Sequence, residues 1–598
     1  MTRALAVLLL AVALPAQAAV VTRGPYLQTN TPSSIIVRWR TDVATDSRVQ
    51  IGAAPGALTT QIDDATVTTE HIVTVTGLTP YTKYFYSIGD TSTVLAGDDA
   101  THFFRTSPPP GTAGAYRFWL TGDGGFGTGV HAPNTMAVRD AYTAFQGGAE
   151  TNLFILLGDN AYILGTDADY QAAFFNMHAA LIRNTPAWPT FGNHEAFSSN
   201  SLTQTGPYFD MFSLPTAGEA GGVPSGTESY YSFDYGNIHF INLDGNSSPV
   251  TPGSAMMTWL EADLQATTAD WVIAFWHHPP YSRGLLHNSD VEQREIDLRE
   301  NVVPVLEDYG VDLVLCGHSH SYERSYLLDG HYDFASTFND DMTVDSGDGA
   351  PGGDGAYRKE RLGLDPHQGA VYVVAGSSSE VRPSTLNHPA HRVGHLLLGS
   401  LVLDVVGSTL TARFLTNTGA IADTFTIEKG PSCPPAPRSG CAASAAGKLV
   451  MKDFANDALD KLVWKWKRGP LDSGDLGAPD QQTDLAVCVY DATGHLVGGR
   501  VPRGADVSGV AAWRALASGV KYVDTAGAAS GITKVKIVPG AGSGQILVKG
   551  KGTGLGMPPL PGTLPFTAQL VNLDNGVCWE TPFAAAKRNL SGKVVALQ

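Results

Sequence analysis

The chain has 598 residues, of which 43% are hydrophobic and 16% charged, with 66 glycines and 36 prolines. This is a globular composition rich in turns and β structure, long enough for three or four domains. A formal net charge of −18 argues against nucleic acid or an anionic membrane as partner, because both recruit Lys and Arg.

The first eighteen residues read as a signal peptide. Arg3 opens it, residues 4–14 form an apolar run too short to span a bilayer, and Ala16-Gln17-Ala18 has the small-x-small form of a cleavage site. No cysteine follows that site and no later run is long and apolar enough for a membrane helix, so a secreted or periplasmic protein without a membrane anchor is expected. Residues 19–111 read as a β-sandwich, with strands at Ser34–Trp39 and His71–Val75. Gly77–Tyr86 resembles the tyrosine-corner segment of fibronectin type III domains. Pro108-Pro109-Pro110-Gly111 ends the domain as a stiff linker.

Residues 112–430 alternate apolar strand runs with helical patterns. The strands are Tyr116–Leu120, Asn152–Leu157, Trp271–Trp276 and Val311–Leu315; the helices are Asp169–Arg183, Ala255–Ala266 and Val291–Tyr309, the last broken near Pro304. The alternation predicts an α/β layered β-sheet core with strands buried on both faces. Residues 431–446 read as a Pro/Ala/Ser linker and 447–598 as an all-β accessory domain, most simply a folded spacer. Of five cysteines, Cys316 reads as a buried thiol, and Cys433–Cys441 with Cys488–Cys578 is the favoured disulfide pairing among three.

Five short polar motifs interrupt the central region, most of them just past a strand. They are Gly122-Asp123-Gly124-Gly125, Gly158-Asp159-Asn160-Ala161-Tyr162, Gly192-Asn193-His194-Glu195, His277-His278-Pro279-Pro280-Tyr281 and Gly317-His318-Ser319-His320. Carboxylate and amide oxygens suit hard cations, whereas imidazole suits iron, zinc or manganese. The set therefore predicts two ions bridged by one aspartate, and a phosphorylated substrate whose charge those ions offset in an acidic protein. A metal-bound hydroxide is then expected to attack phosphorus, with no Cys or Ser nucleophile needed.

The ordered motifs resemble the calcineurin-like metallophosphoesterases, and the position of Tyr162 resembles the purple acid phosphatases among them, over residues 19–430. The resemblance implies Asp123, Tyr162 and His320 as ligands of a ferric ion. It implies Asn193, His277 and His318 as ligands of a divalent ion (iron, zinc or manganese), with Asp159 bridging. It further implies that His194 contacts the substrate phosphate and that His287 protonates the leaving group, while Glu195 stands where an Asp is common and is not a ligand. The function expected is hydrolysis of small phosphate monoesters. A phosphodiesterase or nucleotidase with another substrate rim, a calcium-dependent alkaline relative, and a non-catalytic adhesion protein are the alternatives. His388, His391 and His395 read as a rim loop or strand start, Asp340–Asp354 as a solvated lid or edge loop, and His278 as a packed neighbour of His277.

Overall fold

A computed structural model describes residues 19–504, 511–525, 527 and 530–598; the expected leader at residues 1–18 lies outside the described residues. No described helix is long and apolar enough to cross a membrane.

The N-terminal domain is a branched sheet of six strands. Its organiser is Ser34–Gly52, nineteen residues whose pairing shifts register between Arg40 and Ser47. The early half pairs with Val21–Gln28 and the late half with Lys83–Gly89, so one strand serves both sides of a core built on Trp39, Val49, Val75 and Tyr86. The Tyr84 hydroxyl accepts from Thr79 N at 3.0 Å, the local bond of a tyrosine corner. Arg23 and Arg40 reach Asp167, and Arg38 reaches Ser213, tying this domain to the next.

The central domain is two seven-stranded sheets packed face to face. One holds the parallel strands Ala115–Thr121, Leu153–Leu156 and Ala187–Pro189; the other holds the parallel strands Ile238–Asn242, Trp271–Phe275, Leu313–Cys316 and Val371–Ala375. Side-chain alternation divides the second sheet cleanly. Ile273, Phe275, Leu313 and Leu315 face the opposite sheet, while Val272, Ala274 and Val314 face the helices Ala255–Ala266, Gln293–Asn301 and Val303–Tyr309. Burial on both faces explains why these strands read as unbroken apolar runs. The expected helix over 291–309 is divided at Val302, with Pro304 in the first turn of its second half, where a missing N–H costs nothing. The expected helix over 169–183 is instead three short turns, Asp167–Tyr170, Gln171–Asn176 and Ala179–Ile182.

The C-terminal domain packs a five-stranded sheet against an eight-stranded one around Trp464, Trp466, Leu570 and Trp579. Residues read as a linker cross the smaller sheet and are fastened to it. The disulfides are Cys433–Cys488 and Cys441–Cys578, which corrects the pairing expected from sequence. Strand Leu485–Asp491 and strand Cys578–Phe583 are separated by Phe566–Asn572, so Cys488 and Cys578 stand two strands apart, roughly 10 Å, beyond disulfide reach. Cys316 is free and buried, as expected.

The 340–354 segment is also more engaged than a solvated lid. Thr343–Asp345 pairs with Leu327–Leu328, and Asp345 meets Arg500 and Arg503 of the C-terminal domain at 3.4 and 3.2 Å.

Candidate metal centre

The carboxyl ends of the parallel strands converge at one edge of the sheet pair. Ala115–Thr121 delivers Asp123, Leu153–Leu156 delivers Asp159 and Tyr162, and the short Ala187–Pro189 delivers Asn193 and His194. From the opposite sheet Trp271–Phe275 delivers His277, and Leu313–Cys316 delivers His318 and His320.

Three of these residues carry backbone strain. Asp123, Asp159 and His318 have φ of 55°, 51° and 68°, a left-handed conformation that costs a non-glycine residue of order 1–3 kcal/mol. Close approach fixes two of the flanking glycines. A Cβ on Gly192 would lie 2.3 Å from Asp159 Oδ1, and one on Gly317 would lie 2.7 Å from Asp123 Oδ2.

The side chains form two contiguous groups. Tyr162 donates its hydroxyl to Asp123 Oδ1 at 2.9 Å and Asp159 Oδ2 at 3.0 Å, and lies 3.2 Å from His320 Nε2. Asn193 Oδ1 lies 3.0 Å from both His277 Nε2 and His318 Nδ1, which are 3.2 Å apart. Asp159 stands between the groups, its Oδ1 3.4 Å from His277 Nε2.

This donor set fits cations for two reasons. Asp123 and Asp159 are 0% and 2% exposed, and among the described residues no Lys or Arg hydrogen-bonds to either, so the basic groups beside these buried carboxylates are the imidazoles of His320 and His277, themselves candidate ligands. Two of the imidazoles, moreover, are hydrogen-bonded from behind, and the third has a carboxylate beside its outer nitrogen. His277 Nδ1 lies 2.8 Å from Leu157 O, His318 Nε2 lies 2.9 Å from Glu292 Oε1, and His320 Nδ1 lies 3.1 Å from Glu380 Oε2. Burial, then His287 and His277, push His318 well below the ordinary imidazole range, which favours the neutral ring that a metal ligand must be. Burial, then Asp123 and Asp159, push the Tyr162 phenol well above its usual range, so only a strong cation would ionise it.

The remaining sequence-derived residues lie around this cluster. His194 donates its backbone N–H to Asp159 Oδ1 at 2.9 Å, its Nδ1 lies 2.7 Å from Ile163 O, and its ring stands edge-on to Tyr162. His287 is half-buried on the rim, its ring centroid 3.7 Å from that of His318 and its Nδ1 3.1 Å from Glu292 Oε2. His278 packs against His318 at 4.1 Å with its buried Nδ1 unpartnered. Glu195 points away from the cluster and accepts from the backbone N–H of Asp159, Asn160 and Gly192, pinning two motifs together. His391 opens the strand His391–His395 and pairs with Glu323, apart from the centre.

Glu292 and Glu380 are the residues that the motifs do not reveal. Neither belongs to a motif, and each becomes visible only where the fold sets it behind an imidazole.

Residues 116–322 match the calcineurin-like phosphoesterase family, and residues 24–106 match the purple acid phosphatase N-terminal domain. Among curated relatives, purple acid phosphatase 15 of Arabidopsis thaliana is 30% identical over 283 residues, covering 43% of this chain and 49% of its own length. Phosphoenolpyruvate phosphatase of Allium cepa is 29% identical over 260 residues, covering 41% and 48%. The chain thus spans about half the length of these relatives. A solved purple acid phosphatase, PPD1 from yellow lupin seeds, shares the fold at TM-score 0.52 with 18% identity, over 68% of this chain and 75% of its own.

Proposed function

We propose, for a chain that belongs to the purple acid phosphatases among the calcineurin-like phosphoesterases, that it is an exported acid phosphatase hydrolysing small phosphate monoesters with two metal ions. The observation that carries this reading is the Tyr162 hydroxyl lying against Asp123, Asp159 and His320, beside a second convergent group of Asn193, His277 and His318.

Asp123, Tyr162 and His320 would hold ferric iron; Asn193, His277 and His318 would hold a divalent ion, with Asp159 shared. Bound metals supply Lewis acidity and lower the pKa of coordinated water. The chain's own groups do the rest. His194, fixed through Ile163 O beside Asp159, would hydrogen-bond a phosphate oxygen. His287, half-buried and bonded to Glu292, would give a proton to the leaving alkoxide. Two disulfides support an oxidising compartment.

Metal analysis, a visible spectrum and parallel monoester and diester assays on purified protein test the proposal. Iron with a second metal, a visible tyrosinate band and monoester preference are expected. A colourless zinc- or manganese-only enzyme would remove the iron assignment, and preferential diester cleavage would remove the substrate assignment.

A further inference from the structure

The overall charge of −18 conceals a segregation along the chain. Residues 447–598 carry 17 Lys and Arg against 12 Asp and Glu, whereas residues 1–446 carry 22 against 45. Within the C-terminal domain the basic residues are gathered on one sheet. The eight strands Trp513–Leu516, Gly519–Val523, Ile532–Val538, Gly540–Lys551, Lys461–Leu471, Ala446–Lys452, Lys593–Leu597 and Ala586–Leu590 contain fifteen Lys and Arg and no Asp or Glu.

Strand register arranges these charges in rows on the outer face. Lys551, Lys461, Lys452 and Lys593 lie side by side on four adjacent strands. Four residues along, Arg514, Lys521, Lys536, Lys465 and Lys448 form a second row interrupted only by Leu547. Between the rows run the half-buried Val463, Val450 and Val595, continued by Lys549 and Lys534. Like charges directly opposite one another destabilise a sheet. Desolvation and then Lys521, Lys549 and Lys536 lower the Lys534 ammonium. Among the described residues the ion pairs of this domain's basic residues are made by Arg500 and Arg503, which lie off this sheet.

A face that is costly for the isolated fold calls for an external anion, and its shape selects the kind. It is a broad sheet surface spanning seven strands, roughly 30 Å. The aromatic residues of these strands, Trp464, Trp466, Trp513 and Tyr522, are all buried on the inner side, so no base could stack on it. Among the described residues no helix of this domain projects from it to enter a nucleic-acid groove. Lysine stems flanking an aliphatic stripe instead suit a plane of clustered headgroup phosphates.

We propose that the outer face of this eight-stranded sheet docks the protein on an anionic lipid bilayer, electrostatically and without an inserted segment. The inference rests on the sheet alone and stands whether or not the catalytic reading does.

Cosedimentation of the full disulfide-bonded chain with vesicles tests it. Binding to vesicles of equal phosphatidylglycerol and phosphatidylcholine is expected, with none to pure phosphatidylcholine and release by salt above about 0.5 M. The triple variant Lys452→Glu, Lys461→Glu, Lys551→Glu should weaken partitioning by more than about tenfold, as should the second-row triple Lys448→Glu, Lys465→Glu, Lys536→Glu. Near-UV circular dichroism of both should match the parent, since these side chains point to solvent. Failure of the parent to bind anionic vesicles, or wild-type binding by two folded triple variants, would overturn the proposal. So would capture by soluble polyphosphate or heparin without vesicle binding, or salt-sensitive self-association in place of it.

Discussion

Glu292 holds His318 from behind, its Oε1 2.9 Å from Nε2, while the inner nitrogen Nδ1 of His318 faces Asn193 and His277. The other carboxylate oxygen holds the rim residue His287 at 3.1 Å. One carboxylate thus orients a proposed metal ligand and the proposed proton donor together. Glu292→Gln keeps the shape but can accept from only one of the two rings. Metal affinity and kcat should each fall by about 10–100-fold, with KM changed less. Metal stoichiometry after dialysis and steady-state kinetics measure this; full occupancy at wild-type kcat would reduce Glu292 to a rim residue.

Tyr162→Phe separates the ferric assignment from general phosphoesterase chemistry. The phenol stacks on Phe126 at 4.4 Å, and the substitution leaves that packing in place. What it removes is the hydroxyl lying against Asp123 and Asp159. The visible band should vanish and iron content should fall, while thermal stability of the metal-free protein changes by less than about 1.5 kcal/mol. A visible band surviving in the variant would mean that Tyr162 does not bind the iron.

Away from the centre, Glu307 should make stability fall as pH rises. It is buried, accepting from Tyr372 Oη and Gly330 N, both at 2.7 Å, and burial pushes its carboxyl up to about 7. The folded value lies above the unfolded one, so its contribution is fully present below about pH 4.5 and is lost as pH rises through about 7. The difference is on the order of 3 kcal/mol. Glu307→Gln should flatten the decline in Tm between pH 5 and 8, and an unchanged profile would show that Glu307 is ionised throughout at little cost.

How much of this was legible in the sequence differs by feature. The parallel strands Trp271–Phe275 and Leu313–Cys316 were readable because burial on both faces leaves an apolar run that stops abruptly at a polar motif. Asp123, Asp159 and His318 were readable for a related reason, since each follows a glycine at a strand end. Glu292 was not, because the rim segment carrying it returns to His318 along a path that no periodicity encodes. Net charge hides the basic sheet for another reason. It averages an acidic body with a basic sheet, and only register reveals that Lys452, Lys461, Lys551 and Lys593 are neighbours.

The disulfides illustrate the same limit and supply the last prediction. Local spacing favours Cys433–Cys441, which closes a short proline-rich loop, but the strand order of the five-stranded sheet holds Cys488 and Cys578 apart and lets the crossing segment reach each in turn. Non-reducing peptide mapping should recover Cys433 with Cys488 and Cys441 with Cys578. The second bridge closes the longer loop, with a sequence separation of 137 against 55, so chain entropy makes it the more stabilising. Cys441→Ser with Cys578→Ser should therefore destabilise the C-terminal domain by about 2–5 kcal/mol. The unfolding of the central domain, whose core shares no disulfide, should move far less. Calorimetry resolves the two transitions, and equal shifts in both would mean that the domains unfold as one unit through the Asp345–Arg503 contact.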